Sequence, residues 1–167
     1  MNSNLLFDFI VNKENKTIHI TREFNGSLEL VWRAWTTAEL LDQWWGPQPW
    51  RAETKTMDFR EGGYWLYAMV SPEGEKGYAR ANFISIVKET SFASKGGLSD
   101  ENGILNPAFP QNLWENKFIP VDNKVRVDML LTYDSVADLE QELEMGFKEG
   151  MTVDFQQLDE LLATFKK

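Results

Sequence analysis

Cysteine is absent from the sequence, and histidine occurs once, as His19. The first absence excludes disulfides, thiol nucleophiles and thiolate metal sites, and fits a reducing compartment. Together the two leave no transition-metal motif at any recognised spacing. Also missing are a Gly-Lys-Ser/Thr phosphate loop, a dinucleotide fingerprint, a Gly-x-Ser-x-Gly elbow and a paired-carboxylate motif. The sequence therefore assigns no catalytic residue, no metal ligand and no cofactor, and it carries no positive evidence for catalysis. Positive charge is scarce: 17 basic side chains face 26 acidic ones, a formal charge of −9. Such a chain repels phosphate backbones and anionic membrane surfaces, so nucleic acid is not an expected partner. No apolar run is long enough for a membrane span. The opening MNSNLLFDFIVNKENK is interrupted by Asp8 and has no preceding basic region, so it does not read as a leader and the expected location is cytoplasmic.

What the chain does have is aromatic surface, with seven tryptophans in 167 residues and 13% aromatic composition. This length fits one domain, 1–167, able to bury a continuous core, and no linker divides it. Residues 1–16 read as an N-terminal extension. TIHITREF (17–24) is β-branched and roughly alternating, and Asn25-Gly26 closes it as a first strand. Ser27 is placed to cap a short helix, LELVWRAWT, whose Leu28, Val31, Trp32 and Trp35 recur at helical spacing. Thr36 with Glu39 has the capping-box pattern and predicts a second helix, TAELLDQWW, that breaks at Gly46-Pro47.

Alternation follows. WRAETKTMDF sets Arg51, Glu53 and Lys55 against Ala52, Thr54 and Thr56, a strand with one wet face. YWLYAMV, a strand from about Tyr78 to Lys88, TSFASK, NLWENKFIP and KVRVDMLLTY continue the series, the last with Val125, Val127, Met129 and Leu131 on one side. Residues 96–112, GGLSDENGILNPAFPQN, read as a long loop. Ser135 and Asp138 then open a short acidic helix, VADLEQELE, whose Asp138, Glu140, Glu142 and Glu144 read as a solvated face. A longer helix starts near Lys148, with Met151, Phe155, Leu158, Leu162 and Phe165 as one apolar stripe. This order of elements is that of an α+β helix-grip fold, a curved antiparallel sheet wrapped around a long C-terminal helix, with two short helices after the first strand.

WRAWTTAELLDQWWGP, DFREGGYW from Asp58 and GMTVDFQQLDELL from Gly150 resemble the family related to activators of the heat-shock protein 90 ATPase. That family belongs to the START-like (SRPBCC) superfamily, with the birch-pollen allergens, polyketide cyclases and lipid-transfer domains. The resemblance runs from about Thr17 to Phe165. It departs from the family pattern in three places: Gly150 is followed by Met151 where a tryptophan is usual, ARANFISIV lacks the usual glycine before an aromatic and a carboxylate, and the 96–112 insert is long. The resemblance implies a deep cavity between sheet and C-terminal helix. Its expected lining is Trp35, Trp44, Trp45, Trp65, Tyr67, Phe83, Trp114, Met129, Met151, Phe155 and Leu158. It implies three functional readings: binding of a small hydrophobic molecule such as a lipid, a chaperone-associated interaction module in the stress response, or a cyclase- or hydrolase-like enzyme.

Several residues carry two readings at this level. Trp44 and Trp45 are neighbours about 100° apart on a helix, so one belongs in the core and the other near a cavity entrance. Asp58-Phe59-Arg60-Glu61-Gly62-Gly63 reads as a tight turn with positive φ at one glycine, or as a polar ligand contact. His19 reads as a surface strand residue, or as a general base facing a cavity. An enzyme needs a buried polar group with a shifted pKa, for which His19 and the tyrosines Tyr64, Tyr67, Tyr78 and Tyr133, with Arg80 as orienter, are the visible suppliers.

Overall fold

The computed structural model describes residues 5–165; the first four and last two residues of the expected 1–167 domain lie outside the described residues. The order is β1 (Phe7–Asn12), β2 (Thr17–Asn25), α1 (Leu28–Thr36), α2 (Ala38–Trp44), β3 (Arg51–Met57), β4 (Tyr64–Val70), β5 (Lys76–Val87), β6 (Ser91–Ser99), β7 (Gln111–Val121), β8 (Lys124–Tyr133), α3 (Val136–Glu144) and α4 (Phe147–Ala163). The eight strands form one antiparallel sheet in the order β1-β2-β8-β7-β6-β5-β4-β3. This is the expected α+β helix-grip architecture.

Strand alternation sets the inner face. In β8, Val125, Val127, Met129 and Leu131 are all buried, and Ile18 and Ile20 of β2 lie directly across from Leu131 and Met129. α4, about 25 Å long at 1.5 Å per residue, lays Met151, Phe155, Leu158 and Leu162 on that surface. Phe155 meets Phe7 and Phe24 edge-on, each at 5.7 Å between ring centroids. Arg22 of β2 ties the helix down: it donates two bonds to Asp159, at 3.0 and 2.7 Å, with its guanidinium 4.9 Å over the Phe24 ring.

Four sequence expectations are corrected. Part of the supposed N-terminal extension is an edge strand, β1, paired with β2 from Phe7↔Arg22 to Asn12↔Thr17. The 96–112 loop is shorter than expected, because β6 continues through Gly96-Gly97 to Ser99 and β7 begins at Gln111. Thr36 and Glu39 form no capping box: Thr36 Oγ1 donates instead to Trp32 O at 2.8 Å, and α2 starts one residue later with no side-chain cap. Phe165 lies past the end of α4 and is 42% exposed, so the apolar stripe stops at Leu162. By contrast, Ser27 accepts from Leu30 N and Ser135 from Asp138 N, each at 3.1 Å, as the caps of α1 and α3.

Candidate functional site

A cavity of about 290 Å³ opens between the inner face of β4–β7 and the α3–α4 junction, next to the end of α2. Its position follows from residue size along rows that cross the sheet. On β4, Trp65 and Tyr67 project inward and stack with centroids 4.0 Å apart. The next strand offers only Ala81 and Ala79 opposite them, and the strand after that Gly96 and Leu98. A second row pairs Phe83 with Ser94 and Ser94 with Trp114. Small residues on β5 and β6 thus leave unfilled the space that the helix spans. Gly96 has a further reason to be glycine, because a Cβ there would collide with the backbone carbonyl of Arg80.

Trp45 stands at the centre of the aromatic wall. Its ring lies 6.4 Å from Trp35, 5.7 Å from Trp65 and 6.0 Å from Trp114, and its indole N–H donates to the Tyr67 hydroxyl at 3.0 Å. Trp44, its neighbour, is fully buried and turned the other way, donating to Ala34 O at 2.9 Å. Of the residues expected to line the cavity, Trp35, Trp45, Trp65, Tyr67, Phe83, Trp114 and Met151 stand in its wall. Trp44, Met129, Phe155 and Leu158 do not; all four are fully buried in the core behind it. The reason is position along the helix: the three α4 residues share one face, but Met151 lies at the end beside the cavity, whereas Phe155, one turn further on, packs against Phe7 and Phe24.

Three polar groups of the wall, Asp154, Asn112 and Asn116, are absent from the sequence reading. Asp154 is 3% exposed on the buried stripe of α4, and its Oδ1 accepts from Gly46 N at 3.1 Å. Burial pushes its pKa up to about 8, the Gly46 N–H opposing the shift, so at neutral pH the carboxyl is mainly protonated. Glu142 of α3 also reaches the cavity, correcting the expected solvated face. Asn112 Nδ2 donates to it at 2.9 Å; burial raises its pKa, and its contacts with Tyr133 and Asn112 oppose that. The Tyr67 hydroxyl is pushed up to about 12, by burial first and then by the nearby Asp154 and Glu142. Asn112 and Asn116 enter the wall because β7 alternates, with Asn112, Trp114, Asn116 and Phe118 on its inner side. Asn116 is 2% exposed, and its Oδ1 has no hydrogen-bond partner among the described residues; neither has the buried indole nitrogen of Trp35.

The model of the family described as Activator of Hsp90 ATPase homolog 1-like protein matches residues 25–163. The chain belongs to this family. Among solved structures it resembles protein Ms6760 from Mycobacterium smegmatis at 28% identity, with 98% of this chain and 99% of that one covered and a TM-score of 0.87. It resembles a protein from Arthrobacter aurescens at the same 28% identity, covering 94% and 91%, with a TM-score of 0.88. A protein from Staphylococcus epidermidis is similar in fold at 24% identity, covering 94% and 95%, with a TM-score of 0.81. Among curated proteins none matches the chain.

Within this family frame, Met151 matters for shape. Met151 stands where the resemblance leads one to expect a tryptophan, and its smaller, flexible thioether borders the cavity. The Asp58–Gly63 segment is a turn away from the cavity: Arg60 Nε donates to Asp58 Oδ2 at 2.9 Å, Gly62 has φ 86°, and a Cβ on Gly63 would strike Asp58. His19 points from the outer face of β2 and bonds Asp128, so it cannot act on anything inside. Among the described residues no group of three or more His, Cys, Asp or Glu side chains is placed to hold a metal ion, and no helix is long and apolar enough to cross a membrane.

Proposed function

We propose that this protein binds a small, mainly apolar molecule in the cavity between the sheet and α4, and does so in the cytoplasm. The observation that carries the reading is a void of about 290 Å³ walled by Trp35, Trp45, Trp65, Tyr67 and Trp114. Ligand pockets are concave and mostly apolar, with volumes from roughly 300 Å³ upward and a few polar groups that fix orientation. A few polar groups are what Asp154, Glu142, Asn116 and Tyr67 supply. Native mass spectrometry of freshly purified protein, together with tryptophan emission during titration with neutral apolar probes, tests the reading. A co-purified mass or a saturable emission change is expected. No bound mass and no emission response to any apolar probe overturns it.

A catalytic use of the same cavity gains one specific observation, since a carboxyl whose pKa burial moves toward neutrality is what acid–base chemistry at neutral pH requires. Its suppliers are Asp154 and Glu142, not His19. Conversion of a co-purified molecule into a species of different mass would favour this reading over simple binding. A chaperone-docking role rests on family membership. The outer face of β3 lends it nothing, since Arg51 and Lys76 both pair with Glu53 there in an ordinary solvated cluster.

A further inference from the structure

We infer that the cavity selects a lipophilic organic cation, an ammonium group on an apolar body, seated between the tryptophan wall and the carboxyls of Asp154 and Glu142. The inference rests on the binding reading and narrows it to a ligand class. It starts from an inventory of what faces the void. The acceptors include two carboxyls, the hydroxyls of Tyr67 and Ser94, and Asn116 Oδ1, the last buried with no partner among the described residues. Arg80 is the one basic residue in the wall among the described residues, and it alternates with the inward Ala79 and Ala81, so its side chain leaves β5 on the outer face of the sheet. Nε donates to Asn82 at 2.9 Å, Nη1 to Gly103 O at 3.3 Å, and the group lies 4.0 Å over the Tyr64 ring. An anionic amphiphile entering the cavity therefore meets carboxyls and no counter-charge, the buried Trp35 indole N–H being a neutral donor without a partner among the described residues. A cation meets carboxyls, a carbonyl oxygen with nothing to accept from, and the π-faces around Trp45. Ring faces within about 6 Å attract a desolvated cation most strongly when tryptophan supplies them.

Proton linkage gives the inference a second edge. In the empty cavity Asp154 keeps its proton because burial penalises the charged form. A bound cation supplies the missing counter-charge, so the carboxyl releases its proton to the buffer. Binding of a fixed cation must then strengthen as pH rises toward about 8. The other titratable and charged groups on the elements around the cavity do not reverse this sign. Glu142 on α3 is raised by burial and responds in the same direction. Tyr67 on β4 and Tyr133 on β8 are held protonated by burial, Arg80 on β5 carries its guanidinium to the outer face over Tyr64, and Asp42 on α2 accepts from Thr54.

Three probes on one skeleton test the inference: phenylbutyl-trimethylammonium, phenylbutanol and phenylbutyrate, followed by tryptophan emission and calorimetry on the full chain. The cation is expected to bind tightest and the carboxylate weakest. The cation's affinity is expected to rise roughly twentyfold between about pH 6.5 and about pH 8.5, with proton release, while that of the alcohol stays flat. Asp154→Asn keeps an acceptor for Gly46 N and should lower the ratio of cation to alcohol affinity by about tenfold or more at the higher pH. Glu142→Gln should lower it less. Should Asp154→Asn fail to fold, the wild-type pH slopes decide alone. An alcohol that binds as well as the cation at the higher pH, or a cation affinity that does not change with pH, overturns the selectivity and leaves the binding reading standing. If neither binds, both fall.

Discussion

The interior has two ends that share one sheet and one helix yet are built to opposite ends. Under α1, Trp32 meets Phe118 at 5.0 Å, Phe92 at 5.8 Å and Phe59 at 6.0 Å, all edge-on, and Phe24, Trp35 and Phe155 close the remaining space. Under the α3–α4 junction, the facing strands carry Ala79, Ala81, Ser94, Gly96 and Gly97, and a void remains. The polar groups differ in the same way. At the closed end the buried charge of Arg22 is neutralised in two bonds by Asp159, which keeps the pair tolerable in a dry interior. At the open end Asp154 has one backbone donor, and burial leaves it protonated. The same sheet and the same helix run through both ends. Side-chain volume and polar satisfaction decide where the fold is core and where it is a site.

The largest expected effect breaks the closed end. Phe155 is fully exposed to neighbours and closed to solvent, with Phe7, Phe24 and Trp35 around it. Phe155→Ala should destabilise by about 3–5 kcal/mol, because the tight surroundings cannot collapse into the space left behind. Met151→Ala, bordering an existing void, should cost less. Chemical denaturation of the two variants measures the contrast, and equal losses would mean that α4 is packed alike along its length.

The tryptophan pair sharpens the comparison at a single step of the chain. Trp44→Ala removes a fully buried ring and its bond to Ala34 O, and should cost about 3–5 kcal/mol. Trp45→Ala should weaken binding of an apolar probe by more than it weakens folding, since the ring faces the cavity and bridges Trp65, Trp114 and Tyr67. Melting curves and probe titrations on both variants should rank them in opposite orders; the same order in both assays would remove Trp45 from the site.

Protonation offers an intermediate effect. An unfolded Asp titrates near 3.8 and Asp154 in the fold near 8, so between those values the folded chain holds a proton that the unfolded chain has released. Stability contributed by this group therefore falls as pH rises through the window, and the loss is complete above about 8. Asp154→Asn should be more stable than wild type by several kcal/mol near pH 9, with the difference vanishing near pH 4. Urea midpoints across that range check it. A variant that is less stable at high pH would show that the Asp154 carboxylate has a counter-charge that the fold does not reveal.

The closed end was far more legible in the sequence than the open one, and the reasons are physical. The period of two in KVRVDMLLTY and the steps from Met151 to Leu162 follow apolar burial, which periodicity reports directly. Asp154 sits three residues after Met151, on the same stripe, and Glu142 three after the buried Leu139, so both were placed to point inward. Carboxylates on helices are usually solvated, which is why Glu142 reads as part of a wet face and Asp154 draws no attention, and a cavity is what makes the exception possible. Asn112 and Asn116 obey the same alternation as Trp114 and Phe118, and the period alone assigns them to the inner face. Gly96-Gly97 read as the start of a loop because glycine disfavours strands; pairing with β5 and β7 overrides that tendency. Phe7 and Phe9 alternate with Asp8 and Ile10, but six residues at an edge become a strand only through their pairing with β2.

The smallest expected change in stability comes from filling the open end. Ala81 is the position to use: it lies between Trp65 and Gly96 on the inner face and borders the void. Gly96 itself is unsuitable, because any Cβ there meets the Arg80 carbonyl and the outcome would report backbone collision instead of lost volume. Ala81→Leu places its added carbons in empty space, so stability should stay within about 1 kcal/mol of wild type, whereas the same enlargement in a packed core typically costs more. The affinity for phenylbutanol should nevertheless fall, by about tenfold, because the ligand and the new side chain compete for one volume. If the variant is destabilised by several kcal/mol, the two ends of the interior are packed alike. If it is stable and still binds the probe at full strength, the probe is bound elsewhere, and the void beside Trp45 is not where this protein meets its ligand.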